Sequence, residues 1–174
     1  GGSGSGELYN GGSAIAQGLE FELSIDPFMD GPFDHLSMPI RVAYTYTDAS
    51  FSNTFSSELD AWGDVEMGDA FPYLAPHQLS IVTSLEIGDV SADISGRYTS
   101  SMRTEAGQGD ANQTSSTDAS VILDSGFSYL ASENIKLSFG VTNVLNGTFV
   151  VARRPYGSRP TMPRAFRFTL VSEF

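Results

Sequence analysis

Apolar and polar residues alternate along most of this chain with a period of two, the period of strands whose two faces meet different surroundings. Leu19, Phe21, Leu23 and Ile25 alternate with Glu20, Glu22, Ser24 and Asp26. Ile40, Val42, Tyr44 and Tyr46 alternate with Arg41, Ala43, Thr45 and Thr47. Leu79, Ile81, Thr83, Leu85 and Ile87 stand against Ser80, Val82, Ser84 and Glu86, and Val90, Ala92, Ile94 and Tyr98 against Ser91, Asp93, Ser95 and Arg97. Val121, Leu123, Phe127 and Tyr129 oppose Asp124, Gly126 and Ser128; Ile135, Leu137, Phe139 and Val141 oppose Lys136, Ser138, Gly140 and Thr142. The closing stretch sets Phe166, Phe168 and Leu170 against Arg167, Thr169, Val171 and Glu173. The pattern predicts seven strands and no helix.

The connectors alternate in length. Asp48 to Pro76, Ser100 to Asp118 and Asn143 to Pro163 are long, Gly88-Asp89 and Ala131 to Asn134 are tight, and Pro27 to Ser37 is intermediate. A soluble antiparallel sandwich also alternates apolar and polar positions, with aromatic side chains filling its core. A transmembrane barrel adds a demand that a sandwich does not make: short turns at the periplasmic end and long loops outside. The loop asymmetry favours an all-β, antiparallel transmembrane barrel.

The charges agree. Glu20, Glu22, Asp26, Arg41, Glu86, Asp93, Arg97, Asp124, Lys136, Arg167 and Glu173 all fall on the polar set, where a hydrated or filled lumen tolerates them and lipid does not. The apolar set carries Tyr44, Tyr46, Tyr98, Phe127, Tyr129, Phe139, Phe166, Phe168 and Phe174, several near strand ends where interfacial aromatic girdles lie.

Composition narrows the function. With 174 residues, 21 acidic and 9 basic, the net charge of −12 argues against nucleic acid as a partner. No cysteine is present, so thiol catalysis and thiolate metal sites are excluded. No apolar run approaches the roughly 20 residues of a helical span. The opening GGSGSG, residues 1–6, has the composition of a flexible engineered linker, and residues 7–174 read as one unit.

Three segments resemble one family. NGGSAIAQGLEFEL, Asn10 to Leu23, is similar to a barrel strand of TonB-dependent outer-membrane receptors. WGDVEMGDAFPYLAPHQLS, Trp62 to Ser80, is similar to a loop and strand of the ferric-citrate type. FGVTNVLNGTFVVARRPYGSRPTMPRAFRFTL, Phe139 to Leu170, resembles their last hairpin, with Asn143-Val144-Leu145-Asn146 in place of the N-L-F-D element. The resemblance implies the last seven strands of a barrel of about 22, and an outer-membrane location. It also implies a parent protein that imports a ferric chelate, siderophore or ferric citrate, with TonB and a plug domain supplying the energy coupling.

Candidate sites follow from both readings. Arg153, Arg154, Arg159, Arg164 and Arg167 lie within fifteen positions, and guanidinium forks bind carboxylates and phosphates bidentately. Arg153, Arg154 and Arg159 are the candidate ligand-binding residues for an anionic chelate. The competing reading has these arginines meeting lipopolysaccharide phosphates or the acidic stretch that holds Glu58, Asp60, Asp64, Glu66 and Asp69. That stretch lacks the spacing of a calcium loop and reads as a solvated external loop. His35 and His77 are the only imidazoles; His77 is expected at a strand start, as a rim residue and not a metal ligand. No G-x-S-x-G element is present, so no enzyme, cofactor or metal is expected.

Phe166, Phe168, Leu170 and Phe174 resemble the C-terminal strand by which outer-membrane barrels are recognised for assembly, with Ser172 where the family places a large apolar residue. Seven strands fall short of the roughly eight of the smallest barrels and leave two open edges. The expectation is therefore a folding substrate held by the barrel assembly machinery through strand addition, surrounded by outer-membrane lipid and lipopolysaccharide. The alternatives are half of a split receptor completed by another chain, or part of a passive porin or adhesin barrel.

Overall fold

The computed structural model describes residues 12–29, 36–58, 62–154 and 157–173. The expected linker, His35, Asp60 and the terminal Phe174 lie outside the described residues. The elements in chain order are β1 (Ala14–Ile25), β2 (Leu36–Ser37), β3 (Ile40–Phe51), β4 (Phe55–Ser56), β5 (Asp64–Val65), β6 (His77–Ile87), β7 (Val90–Thr99), β8 (Ser120–Ser132), β9 (Ile135–Thr142), β10 (Val150–Ala152), β11 (Arg159–Pro160) and β12 (Ala165–Ser172). A single 3₁₀ turn covers Gln113–Ser115, and no described helix is long and apolar enough to cross a membrane.

Seven long strands pair antiparallel in the order β1-β3-β6-β7-β8-β9-β12, each with its neighbour in sequence among the long strands, and the short β2 pairs with β6 beside them. This is an up-and-down wall with no crossover. Tight turns make it so: Gly88 at φ 55° occupies the left-handed conformation that the two-residue Gly88-Asp89 turn requires. Glu133 and Asn134 close the next hairpin, and a bulge between Leu130 and Ser132 absorbs the register change there.

The strands run longer than the alternation alone predicts. β1 begins at Ala14, ahead of the alternation that starts at Leu19 though inside the segment that resembles a barrel strand, and β3 continues through Asp48 to Phe51, which read as connector. The two extensions pair with each other, Ala14 opposite Phe51 and Gln17 opposite Asp48, so each supplies the other's backbone partners. Gly18 permits the close approach: a Cβ there would lie 2.1 Å from the carbonyl oxygen of Tyr46.

The wall has no core of its own. Among the described residues every buried one lies at one end: Phe51, Val65, Asp69, Ala75, Ser100, Thr104, Thr117, Ser120 and Asn143. At that end the three long loops meet. Phe51 stacks on Phe71 at 4.2 Å between ring centroids and meets the edges of Phe55 and Trp62, with the β4–β5 hairpin closing over it.

Candidate functional site

Register decides which side chains share a face, because residues directly opposite in neighbouring strands point the same way. Leu19, Phe21, Leu23 and Ile25 stand opposite Tyr46, Tyr44, Val42 and Ile40. The same face continues through Leu79 opposite Tyr98, Ile94 opposite Ser125, Phe127 opposite Phe139, and Phe139 opposite Phe168. Leu19 is 72% exposed and Phe168 is 81% exposed. Side chains of that size, contiguous across seven strands and uncovered, need an apolar medium.

The other face carries the charge. Glu20 stands opposite Thr45, Arg41 opposite Ser24, Arg97 opposite Ser80, Asp93 opposite Ser84, Asp124 opposite Ser95, Lys136 opposite Leu130 and Arg167 opposite Gly140. Arg41 and Glu22 approach to 3.8 Å while both remain mostly exposed, a pair of little energetic weight. The exception to the division is Asp48, on the apolar parity near the loop end; Gln17 Nε2 donates to its carboxylate at 3.1 Å. His77, the first residue of β6, shares that rim: the Tyr44 hydroxyl lies 2.9 Å from its Nδ1 and the Tyr46 ring 5.2 Å from its own. The histidine joins an aromatic girdle, as its place at a strand start suggested.

At the opposite end, Asp26 organises the turn after β1. Ser37 Oγ donates to one carboxylate oxygen at 2.8 Å, and the Phe28 and Met38 amides to the other. The Ser37 hydroxyl, and then the Phe28 amide, hold this carboxyl below its ordinary range.

The loop end carries the candidate arginines. Arg154 meets the Glu105 carboxylate, and Ser115 Oγ donates to the same group at 3.1 Å. The Arg154 hydrogen bond is the main cause that holds Glu105 below the usual carboxylate range, against the opposing pull of partial burial. Arg153 donates through Nε to the Ser116 carbonyl and through Nη1 to Ser158 Oγ at 2.9 Å; Arg159 donates to the Arg154 carbonyl. Arg103 grips its own loop through the carbonyls of Glu105, Gln108 and Gly109. The three candidate ligand arginines are thus gathered at the loop end, and Glu105, on the Ser100 to Asp118 loop, is an acid that Arg154 meets there. Within that stretch Asp69 is buried and accepts from the Glu66 amide at 2.9 Å. Among the described residues no cluster of metal-ligating side chains occurs.

Two residues hold the loops together: Tyr73, which sequence reasoning did not single out, and Asn143, which it placed at the turn into the last loop without a role for its side chain. Tyr73, at φ 59°, accepts the Arg153 and Arg154 amides on its hydroxyl, the latter at 2.8 Å, while its own amide donates to the Arg103 carbonyl at 2.7 Å. One residue, through its hydroxyl and its own amide, thereby ties all three loops together. Asn143, buried and at φ 50°, donates through Nδ2 to the carbonyls of Gly147 and Met162, both at 2.9 Å, and accepts from the Gly147 amide. Its own amide donates to Asp124 at 2.7 Å. Every polar group of the Asn143 side chain is used, which explains an asparagine at the entry to the Asn143-Val144-Leu145-Asn146 turn.

A wall of antiparallel strands with one lipid-compatible face, one charged face, tight turns at one end and interlocked loops at the other defines a segment of an outer-membrane β-barrel. The particular family follows. A family model described as "TonB dependent receptor-like, beta-barrel" matches residues 1–144, and the chain belongs to that family. Its place is the bacterial outer membrane, and it is consistent with the C-terminal portion of such a barrel. No curated protein matches it.

Three solved structures share the fold. The ferric-catecholate import receptor Fiu of Escherichia coli K12, in its closed form, has a TM-score of 0.66 at 20% identity, covering 91% of this chain and 21% of its own. The siderophore receptor PiuA of Acinetobacter baumannii has a TM-score of 0.65 at 15% identity, with 90% and 22% covered. The outer-membrane transporter YddB of E. coli has a TM-score of 0.62 at 13% identity, with 92% and 26% covered. The chain thus spans between a fifth and about a quarter of the length of these receptors. The wall closes into no barrel by itself.

Proposed function

We propose that the parent of this chain is an active-uptake receptor for an anionic ferric chelate, and that the loop end described above forms part of its outer binding mouth. The observation that carries the reading is the gathering of Arg153, Arg154 and Arg159 onto loops fastened to one another above a receptor-barrel wall. A carboxylate already engages Arg154, so the site chemistry suits carboxylate ligands. Energy coupling through TonB and a plug belongs to the same proposal by family membership. Binding of ferric citrate to the full receptor, measured by fluorescence quenching, is expected to weaken about tenfold when Arg153 and Arg159 become alanine. Unchanged affinity would remove these arginines from the site.

A second reading concerns assembly. β1 and β12 each pair on one side only among the described residues, and β12 presents Phe166, Phe168 and Leu170 on its apolar face. An open edge accepts another strand, which suits capture on the barrel assembly machinery as well as completion by further receptor strands. Cysteine cross-linking from Thr169 of β12 to the machinery's barrel edge is expected in a pulse-labelled cell. Cross-links to receptor strands alone would reject the capture.

A further inference from the structure

The dipeptide Asn146-Gly147, in the turn that leaves β9 for the last long loop, joins the groups through which an asparagine loses its amide: a side-chain carboxamide, and a following nitrogen with no Cβ beside it to hinder attack. Among the described residues it is the one asparagine followed by glycine. The local fold favours both residues. Asn146 stands at φ 52°, a left-handed conformation that asparagine tolerates better than most side chains. At Gly147 a Cβ would lie 2.5 Å from the Phe149 ring, so any other residue would have to displace that ring.

In the folded turn both reacting groups are engaged elsewhere. The Gly147 amide donates to Asn143 Oδ1 at 3.1 Å, and Asn146 Oδ1 accepts the Arg164 amide at 3.1 Å. The Asn146 amide donates to the Asn143 carbonyl at 2.8 Å and closes the turn. Attack by the Gly147 nitrogen requires loss of its proton, and a proton held against Asn143 Oδ1 is kept from base until the turn opens. Asn143 is itself buried, with Nδ2 donating to the Gly147 and Met162 carbonyls, so opening breaks several hydrogen bonds together. Asn146 is exposed, and water reaches it.

We propose that Asn146-Gly147 is a site of spontaneous deamidation whose rate is set by opening of the Asn143 turn. In the opened turn, base removes the Gly147 amide proton and the nitrogen attacks the carbonyl carbon of the Asn146 side chain. The new N–C bond closes a cyclic imide; the C–N bond of the carboxamide breaks, and ammonia leaves after taking up a proton. Water then adds to one or other imide carbonyl and breaks its bond to nitrogen, which yields aspartate or isoaspartate without any oxidant or reductant. Aspartate keeps an oxygen for the Arg164 amide and adds a negative charge at the foot of the loop that carries Arg153, Arg154 and Arg159. Isoaspartate routes the chain through the side chain and lengthens the backbone, which moves the Gly147 amide off Asn143 Oδ1.

The test follows the full-length receptor in detergent at mildly alkaline pH, with peptide mapping by mass spectrometry for conversion at Asn146 and isoaspartyl methyltransferase labelling for the isoaspartate fraction. Conversion in the folded receptor is expected to be at least about a hundredfold slower than in the urea-unfolded chain. Asn143→Ala should recover most of that difference, and by the same factor that it accelerates exchange of the Gly147 amide proton, since one opening governs both. Asn146→Gln should abolish conversion at this position, because its longer side chain closes the imide far more slowly. Strand amides that exchange as in the unaltered receptor verify that each variant is folded, and the comparison of folded with unfolded chain needs no variant. Folded conversion as fast as unfolded, faster Gly147 exchange in Asn143→Ala without faster conversion, or no conversion in the unfolded chain would each overturn the assignment.

Discussion

The strand wall and the loop end obey opposite rules of burial, although one chain makes both. Along the wall many large apolar side chains are exposed, and no described residue of the central strand stretches is buried. At the loop end the aromatic side chain of Phe51 is 1% exposed and the polar Thr104 equally so. The difference follows from the surroundings each must match. The wall separates lipid from a hydrated interior, so backbone pairing satisfies its polar groups and the bilayer covers its apolar ones. The loops stand in water, where only their own hydrogen bonds and a small aromatic core can hold them. Rigidity at the loop end is therefore built from side chains such as Asn143, Tyr73 and Glu105, whereas rigidity in the wall is built from the backbone ladder.

Substitutions that act on one region and spare the other sharpen the contrast. The largest local effect is expected from Asn143→Ala, which takes the Asn143 partner from the Gly147 amide and the Met162 carbonyl and leaves the Gly147 carbonyl with the Thr161 hydroxyl alone. A cost of about 3 kcal/mol is expected, read as lost hydrogen-exchange protection at Gly147 and Phe149 with the strand amides unchanged. Gly18→Val attacks the wall instead: its Cβ would press on the Tyr46 carbonyl, and about 2 kcal/mol of stability against urea should be lost in vesicles.

Glu105→Gln removes the charge that Arg154 meets, and both side chains are partly exposed, so about 1 kcal/mol of loop protection is expected to go. The pH dependence has a definite sign. Because the folded carboxyl titrates below its ordinary value of 4.5, its contribution is fully present above that value and is lost as pH falls through the folded pKa. Exchange of the Ser115 and Thr117 amides, corrected for intrinsic rate, should therefore accelerate on acidification in the unaltered protein, and less so in the glutamine variant. The smallest effect is expected from Thr83→Val. Its hydroxyl is buried without a partner on the apolar face, so the exchange should leave urea stability unchanged or slightly raised.

All seven long strands were legible from period two, because each carries large apolar residues on one parity. The missed parts carry no such signal. Ala14 to Gln17 breaks the alternation with Gln17 on the apolar parity between Ile15 and Leu19, and Asp48 to Phe51 begins with a carboxylate on the lipid parity that the pairing with Gln17 accommodates. The arginine cluster was legible as a candidate anion site, but its internal acid was not: Glu105 is 49 residues from Arg154, and nothing local distinguishes it from the other acids. Tyr73 gives no sequence signal for its role either, since its left-handed backbone and its two amide partners 80 and 81 residues away arise only when the loops meet. Family resemblance in the Phe139 to Leu170 segment located the turn at Asn143, and the hydrogen bonds of its side chain supply the reason.

The assignment of the two faces is the claim on which the rest depends, and one pair of neighbouring positions tests it. Leu137 stands opposite Tyr129 and Leu170 on the apolar face, and Ser138 opposite Ser128 and Thr169 on the other. In the full receptor refolded into lipid vesicles, Leu137→Arg should lower urea stability by about 2–4 kcal/mol, and Ser138→Arg by less than about 1 kcal/mol. Equal losses, or a larger loss at Ser138, would contradict the placement of lipid and lumen on these faces.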